Sequence, residues 1–250
     1  MKIEKLNELI INTYETTDDP SLVKKTIDRV QSILWFKKII AFSWWGSGVN
    51  ISDNSDLKDN VDKYTTEIKH RIIEIIMMRL KDYDVAVLTW GTSWDIPQIA
   101  TRLARKYNIP TIWVLPEKAK KNSLWKELLN AEILIPPIYW DSHYWDESSV
   151  FAKLADWMFV IWGWSWTLVE FAHVMKINEK LEDIKQDVKI IIPIDWVPGV
   201  SDKLQYIPWK PKVKELTFPN KNITDPKEAF EILRKKLNLD DILKEEYLYI

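Results

Sequence analysis

Six short, almost continuously apolar runs recur along this chain, each separated from the next by a segment of helical periodicity. They fall at 38–43, 85–89, 111–115, 132–135, 157–161 and 188–194. A strand with one wet face alternates apolar and polar residues, whereas a run that is apolar at nearly every position needs cover on both faces. The intervening segments supply that cover, with helices expected at 61–81, 96–107, 122–129, 147–155 and 167–178, and a terminal one at 226–237. In the first of these, Ile68, Ile72, Ile75, Ile76 and Leu80 share a face. Asp95-Ile96-Pro97-Gln98 carries a helix-start signature, with Asp95 as N-cap and Pro97 in the first turn. Strands alternating with helices, joined by right-handed crossovers, make an α/β fold: a Rossmann-like doubly wound parallel sheet with helices on both faces.

The ends of the chain are less regular. In residues 1–35, Ile3, Leu6, Ile10, Leu22, Ile27, Val30 and Ile33 recur at helical spacing, so two helices broken near 16–20 are expected. The segment 195–220 is rich in proline and reads as a surface excursion. We therefore expect one domain over 1–250, comprising a helical extension (1–35), a core (36–195) and a C-terminal excursion with its helix (196–250).

Charge and composition narrow the partners. The 35 Lys and Arg nearly balance the 37 Asp and Glu, so no global field draws the chain to nucleic acid or to an anionic membrane. Any ligand must be recognised locally. The chain has no Cys, which excludes disulfides and thiolate metal sites and fits a reducing, cytoplasmic setting. The apolar stretch at 158–169 is too short to span a membrane. The acidic loop residues Asp141, Asp146 and Glu147 around His143 read as solvated, and no metal site is expected.

In an open parallel sheet, ligands bind beyond the carboxyl ends of the strands, where helix N-termini present free N–H groups. Three strand-to-helix loops meet that description. They contribute Gly46, Ser47 and Gly48; Gly91, Thr92 and Ser93; and Gly163, Ser165 and Thr167 as candidate phosphate-binding residues. These loops are also where tryptophan accumulates. The chain holds 15 Trp and 5 Gly, and if every Trp were Gly the glycine content would be about 8%, close to the roughly 7% of ordinary chains. Trp44, Trp45, Trp90, Trp94, Trp162, Trp164 and Trp166 occupy turns in which glycine is expected. Most of these positions read as glycine in the natural parent.

With glycine restored, Ala155-Asp156-Trp157-Met158-Phe159-Val160-Ile161-Trp162-Gly163-Trp164-Ser165-Trp166-Thr167-Leu168-Val169-Glu170 resembles the strand and PGGxGTxxE motif of the LOG family. Those proteins are nucleoside 5'-monophosphate phosphoribohydrolases within the wider SLOG group of Rossmann-like proteins. Val87 to Asp95 resembles the family's second glycine-rich loop, Thr111 to Pro116 its following strand, and Lys38 to Gly48 its opening strand and turn.

The resemblance implies that Glu170 is the motif glutamate facing the ribose, and hence the candidate catalytic residue, with Thr167 beside the phosphate. It also implies an Arg-Lys pair on the preceding helix. Ungapped counting puts Glu147 and Ser148 there instead. SLOG relatives without that pair include ligand sensors and molybdenum-cofactor carriers. The expectation is therefore a carrier or sensor holding a nucleotide or a molybdenum-cofactor-like ligand without turnover, and a homodimer or higher homo-oligomer. The alternative is a phosphoribohydrolase whose missing arginine comes from elsewhere. Thr167 and Glu170 also have a local reading, since Thr-x-x-Glu is a capping box. His173, one turn beyond Glu170, reads as a packed or surface histidine.

Overall fold

The computed structural model describes residues 9–12, 38–43, 55–93, 95–123, 130–135, 146–163, 165–195, 200–219 and 221–243. Its centre is a sheet of strands β1 (Leu9–Asn12), β2 (Lys38–Ser43), β3 (Val85–Thr89), β4 (Thr111–Pro116), β5 (Ala131–Ile135), β6 (Trp157–Ile161) and β7 (Ile190–Ile194). The strands lie in the order β1-β5-β4-β3-β2-β6-β7, and every pairing is parallel. Each apolar run expected as a strand is one, and β3 to β7 are buried at every position.

Successive side chains in a strand point to opposite faces, so the two faces need separate cores. On one side Ile40, Phe42, Val85 and Val87 pack with α1 (Ser55–Leu80) and α2 (Asp95–Lys106), and also with α6 (Pro226–Lys236). On the other, Ile39, Ala41, Ala86 and Leu88 pack with α3 (Asp146–Leu154) and α4 (Ser165–Asp183), and also with α5 (Pro211–Thr217). Arg102, Arg105 and Lys106 lie on the exposed face of α2, as its periodicity demands, and Lys106 pairs with Glu74 at 2.6 Å.

Two expectations are corrected. Leu9–Asn12 lies within a predicted helix but is an edge strand, in parallel register with β5 from Leu9 opposite Ala131 to Asn12 opposite Leu134. The run Leu-Ile-Ile satisfies either pattern, and the unpaired edge of β5 decides between them, because tertiary pairing overrides weak local preference. The excursion after β7 also contains a helix of its own, α5, opened by Pro211 in its first turn. The expected helix 122–129 lies mostly outside the described residues; ahead of it Glu117–Asn122 forms a 3-10 helix.

One buried side chain ties these layers together. Asn178 of α4 accepts from the Lys189 backbone N–H at 2.8 Å and donates to the Lys189 carbonyl at 2.7 Å and to Thr217 Oγ1 at 2.8 Å. This locks the start of β7 to α4 and α5. Asn178→Ala would leave these groups unpaired in the interior, and a loss of about 3 kcal/mol in urea denaturation is expected.

Candidate functional site

The chain leaves β2 toward β3, β4 and β5 on one side and returns through β6 and β7 on the other. The order therefore reverses between β2 and β6, which places a crevice at their carboxyl ends. Ser43 ends β2, and its hydroxyl donates to Glu170 Oε2 on α4, the helix that follows β6. This bond spans the switch point. Glu170 is fully buried, and burial, the largest effect, pushes its carboxyl up to about 8. Ser43 and the Trp90 indole pull it down, although Trp90 forms no well-aligned hydrogen bond, and the neighbouring Glu147 pushes it up further. At neutral pH Glu170 is thus mainly a neutral acid that can donate as well as accept a hydrogen bond.

The same geometry overturns the capping-box reading. Helix α4 begins at Ser165, so Thr167 is its third residue rather than its cap, and Glu170 reaches across to β2 instead of back along its own backbone. Thr167 Oγ1 is buried with no hydrogen-bond partner among the described residues, as are Glu170 Oε1 and Ser148 Oγ. Asp95 differs from expectation in a similar way. It is the first residue of α2 rather than the residue before it, at φ 42°, and its carboxylate pairs with the Lys69 ammonium of α1. Helix α1 is long enough to present Lys69 at this level, only 2% exposed, with Nζ 4.1 Å from the centroid of the Trp162 ring.

Of the expected phosphate residues, Gly46, Ser47 and Gly48 lie outside the described residues. Gly91 follows β3 at φ 59°, and a Cβ there would come within 2.5 Å of the Trp113 ring. Its N–H already donates to Thr89 Oγ1 at 3.1 Å, which removes one amide from any cradle. Thr92 is buried and Ser93 half-buried. Gly163 has φ 118°, and a Cβ on it would collide with the Thr167 hydroxyl. Ser165 is exposed at the start of α4. The Trp162 N–H donates to Ser201 Oγ at 3.1 Å and the Gly163 carbonyl accepts from the Val200 N–H at 3.0 Å, so the C-terminal excursion holds this loop.

The tryptophans divide. Trp162 is at φ 69°, in the left-handed region that a bulky side chain disfavours, as the glycine reading requires. Trp90 has no positive φ; it is buried and stacks on Phe151 at 5.0 Å with the rings 7° from parallel, which makes it a packed core residue here. Trp94 and Trp164 lie outside the described residues. A cavity of about 550 Å³, lined by Lys38, Asp156, Lys189 and Asn238 among others, opens at the opposite, amino edge of β2, β6 and β7. It is remote from the switch point.

No protein-family model and no curated protein matches the sequence. Solved structures do match. The protein TM1055 superposes with a TM-score of 0.54 at 15% identity, covering 80% of this chain and 99% of its own. The molybdenum cofactor binding protein of the phototrophic bacterium Rippkaea orientalis gives 0.53 at 15%, covering 80% and 98%. The molybdenum cofactor carrier protein of Chlamydomonas reinhardtii gives 0.53 at 14%, covering 81% and 99%. This chain has their fold. The Rossmann-like doubly wound parallel sheet expected from the sequence is therefore present, with Glu170 at its switch point and Glu147 and Ser148 buried on α3, where the resemblance places Arg and Lys.

Lys69 and Ser43 were absent from the expected site. Ser43 could have been found as the polar residue ending an apolar strand. Lys69 could not, because on sequence it is one charge on a helix rich in charges.

Proposed function

We propose that this chain binds a small phosphate-bearing ligand, a nucleotide or a molybdenum-cofactor-like compound, and holds it in the cytoplasm as a homo-oligomeric carrier or sensor without turnover. The observation that carries this reading is that two buried oxygens of α4, the helix that reaches the β2–β6 switch point, Glu170 Oε1 and Thr167 Oγ1, and Ser148 Oγ of the adjoining α3 have no hydrogen-bond partner among the described residues. Buried polar atoms are ordinarily paired, and unpaired ones beside a crevice suit a ligand that supplies the partners. The Ser148 hydroxyl and a neutral Glu170 can hold the polar edge of a heterocycle or a ribose. The loops at Gly91–Ser93 and Gly163–Thr167 suit its phosphate, since helix N-termini follow both.

Two features oppose turnover. Hydrolysis of an N-glycosidic bond develops positive charge on the ribose, and a carboxylate stabilises that charge only when it is ionised. Glu170, with a pKa of about 8, is mainly neutral at pH 7. The arginine implied by the resemblance is replaced by an acid, Glu147. Native mass spectrometry of the protein as purified should show a bound phosphate-containing mass, and the same spectrum reports the oligomer. Incubation with adenosine 5'-monophosphate should release no free adenine by liquid chromatography. Robust release that Glu170→Ala abolishes would replace this reading with the phosphoribohydrolase.

A further inference from the structure

We infer that Lys69 is the cation that receives the ligand's phosphate, and that Asp95 is an internal counterion which the phosphate displaces. This rests on the phosphate-ligand reading above and names the charge that reading lacks. Burying an ammonium is expensive unless an anion accompanies it, yet Lys69 lies 2% exposed, between the two loops expected to hold a phosphate. Asp95 belongs to the end of the β3–α2 loop and Trp162 to the end of β6, so Lys69 joins the carboxyl ends of the strands on either side of β2.

Asp95, which meets Lys69, is not glycine yet has φ 42°. Aspartate tolerates this region better than most residues, and here the turn directs its carboxylate to the lysine. A carboxylate so directed occupies the place at which a phosphate oxygen would meet both that lysine and the N-terminus of α2. A second observation points to a ligand beside the adjoining loop: the Thr167 hydroxyl, fully buried, has no hydrogen-bond partner among the described residues and lies against the Gly163 backbone. Phosphate entering along Gly163 would gain the Thr167 donor and the Lys69 ammonium, and Asp95 would be freed to cap α2. A carboxylate at an N-cap is favourable, so its release offsets part of the lost ion pair.

The test is isothermal titration of adenosine 5'-monophosphate and of inorganic phosphate into the parent chain, Asp95→Asn, Lys69→Met and Lys69→Arg, each checked for folding by circular dichroism. Removing the internal competitor should raise affinity for both probes by about tenfold or more, and removing the cation should lower it by about as much. Lys69→Arg, which keeps the charge, should retain measurable binding. If Asp95→Asn and Lys69→Met both leave affinity unchanged while lowering the melting temperature, the pair is only structural and the inference is overturned, with the phosphate-ligand reading intact. If neither the parent nor Asp95→Asn binds either probe, this inference falls, and the reading above is left with the molybdenum-cofactor-like ligand alone.

Discussion

Glu170→Gln should make the protein markedly more stable relative to the parent at pH 8.5, and much less so at pH 5. The unfolded carboxyl titrates near 4.5 and the folded one at about 8. Between those values the native state keeps a proton that the unfolded state releases, so parental stability falls as pH rises through this window and is level on either side. The difference corresponds to about 5 kcal/mol as an order of magnitude. Gln has nearly the same shape and can still accept from Ser43, but does not ionise, so this component vanishes in the variant. Burial also raises Asp195 and lowers Lys189, and both effects cancel in the comparison because the two proteins share them. Urea denaturation of both proteins at several pH values reads the difference directly. Parallel profiles would mean that Glu170 is ionised in the folded protein and would remove the main objection to catalysis.

Trp162→Gly and Trp90→Gly should have opposite outcomes, although both indoles are buried at the ends of strands. Truncating a packed Trp costs about 3–5 kcal/mol. Trp90 has the ordinary backbone and the flat Phe151 stack of such a residue, so Trp90→Gly should lose an amount in that range. Trp162 sits at φ 69°, where glycine is free of the strain of roughly 1–3 kcal/mol that a side chain incurs. If the β6–α4 loop is built for glycine, it closes over the space of the indole, and Trp162→Gly is at least as stable as the parent. The same change uncovers Lys69, so the variant should also bind phosphate more tightly. Thermal denaturation of the two variants side by side is the measurement. A loss at 162 as large as that at 90 would show that tryptophan belongs in the loop.

The sequence alone determined six of the seven strands and their parallel arrangement. Apolar runs such as 157–161 admit only a strand covered on both faces, and helical segments of sufficient length between them leave parallel pairing as the economical solution. The glycine-rich motif around Gly163 and Glu170 placed the candidate site at the carboxyl edge, because its pattern lies within one strand, one turn and one helix. What the tertiary structure decided depends on contacts far apart in the chain. Leu9–Asn12 is a strand because β5, more than a hundred residues later, offers an unpaired edge. Glu170 could close a capping box with Thr167 by spacing alone, yet it bonds Ser43, 127 residues away. Lys69 and Asp95 are 26 residues apart on different helices and meet only when α1 and α2 pack on the same face. Local periodicity encodes which face of an element is apolar. Which buried polar groups find each other across the sheet depends on how the faces close, and in this protein that set the burial of Glu170 and the position of Lys69.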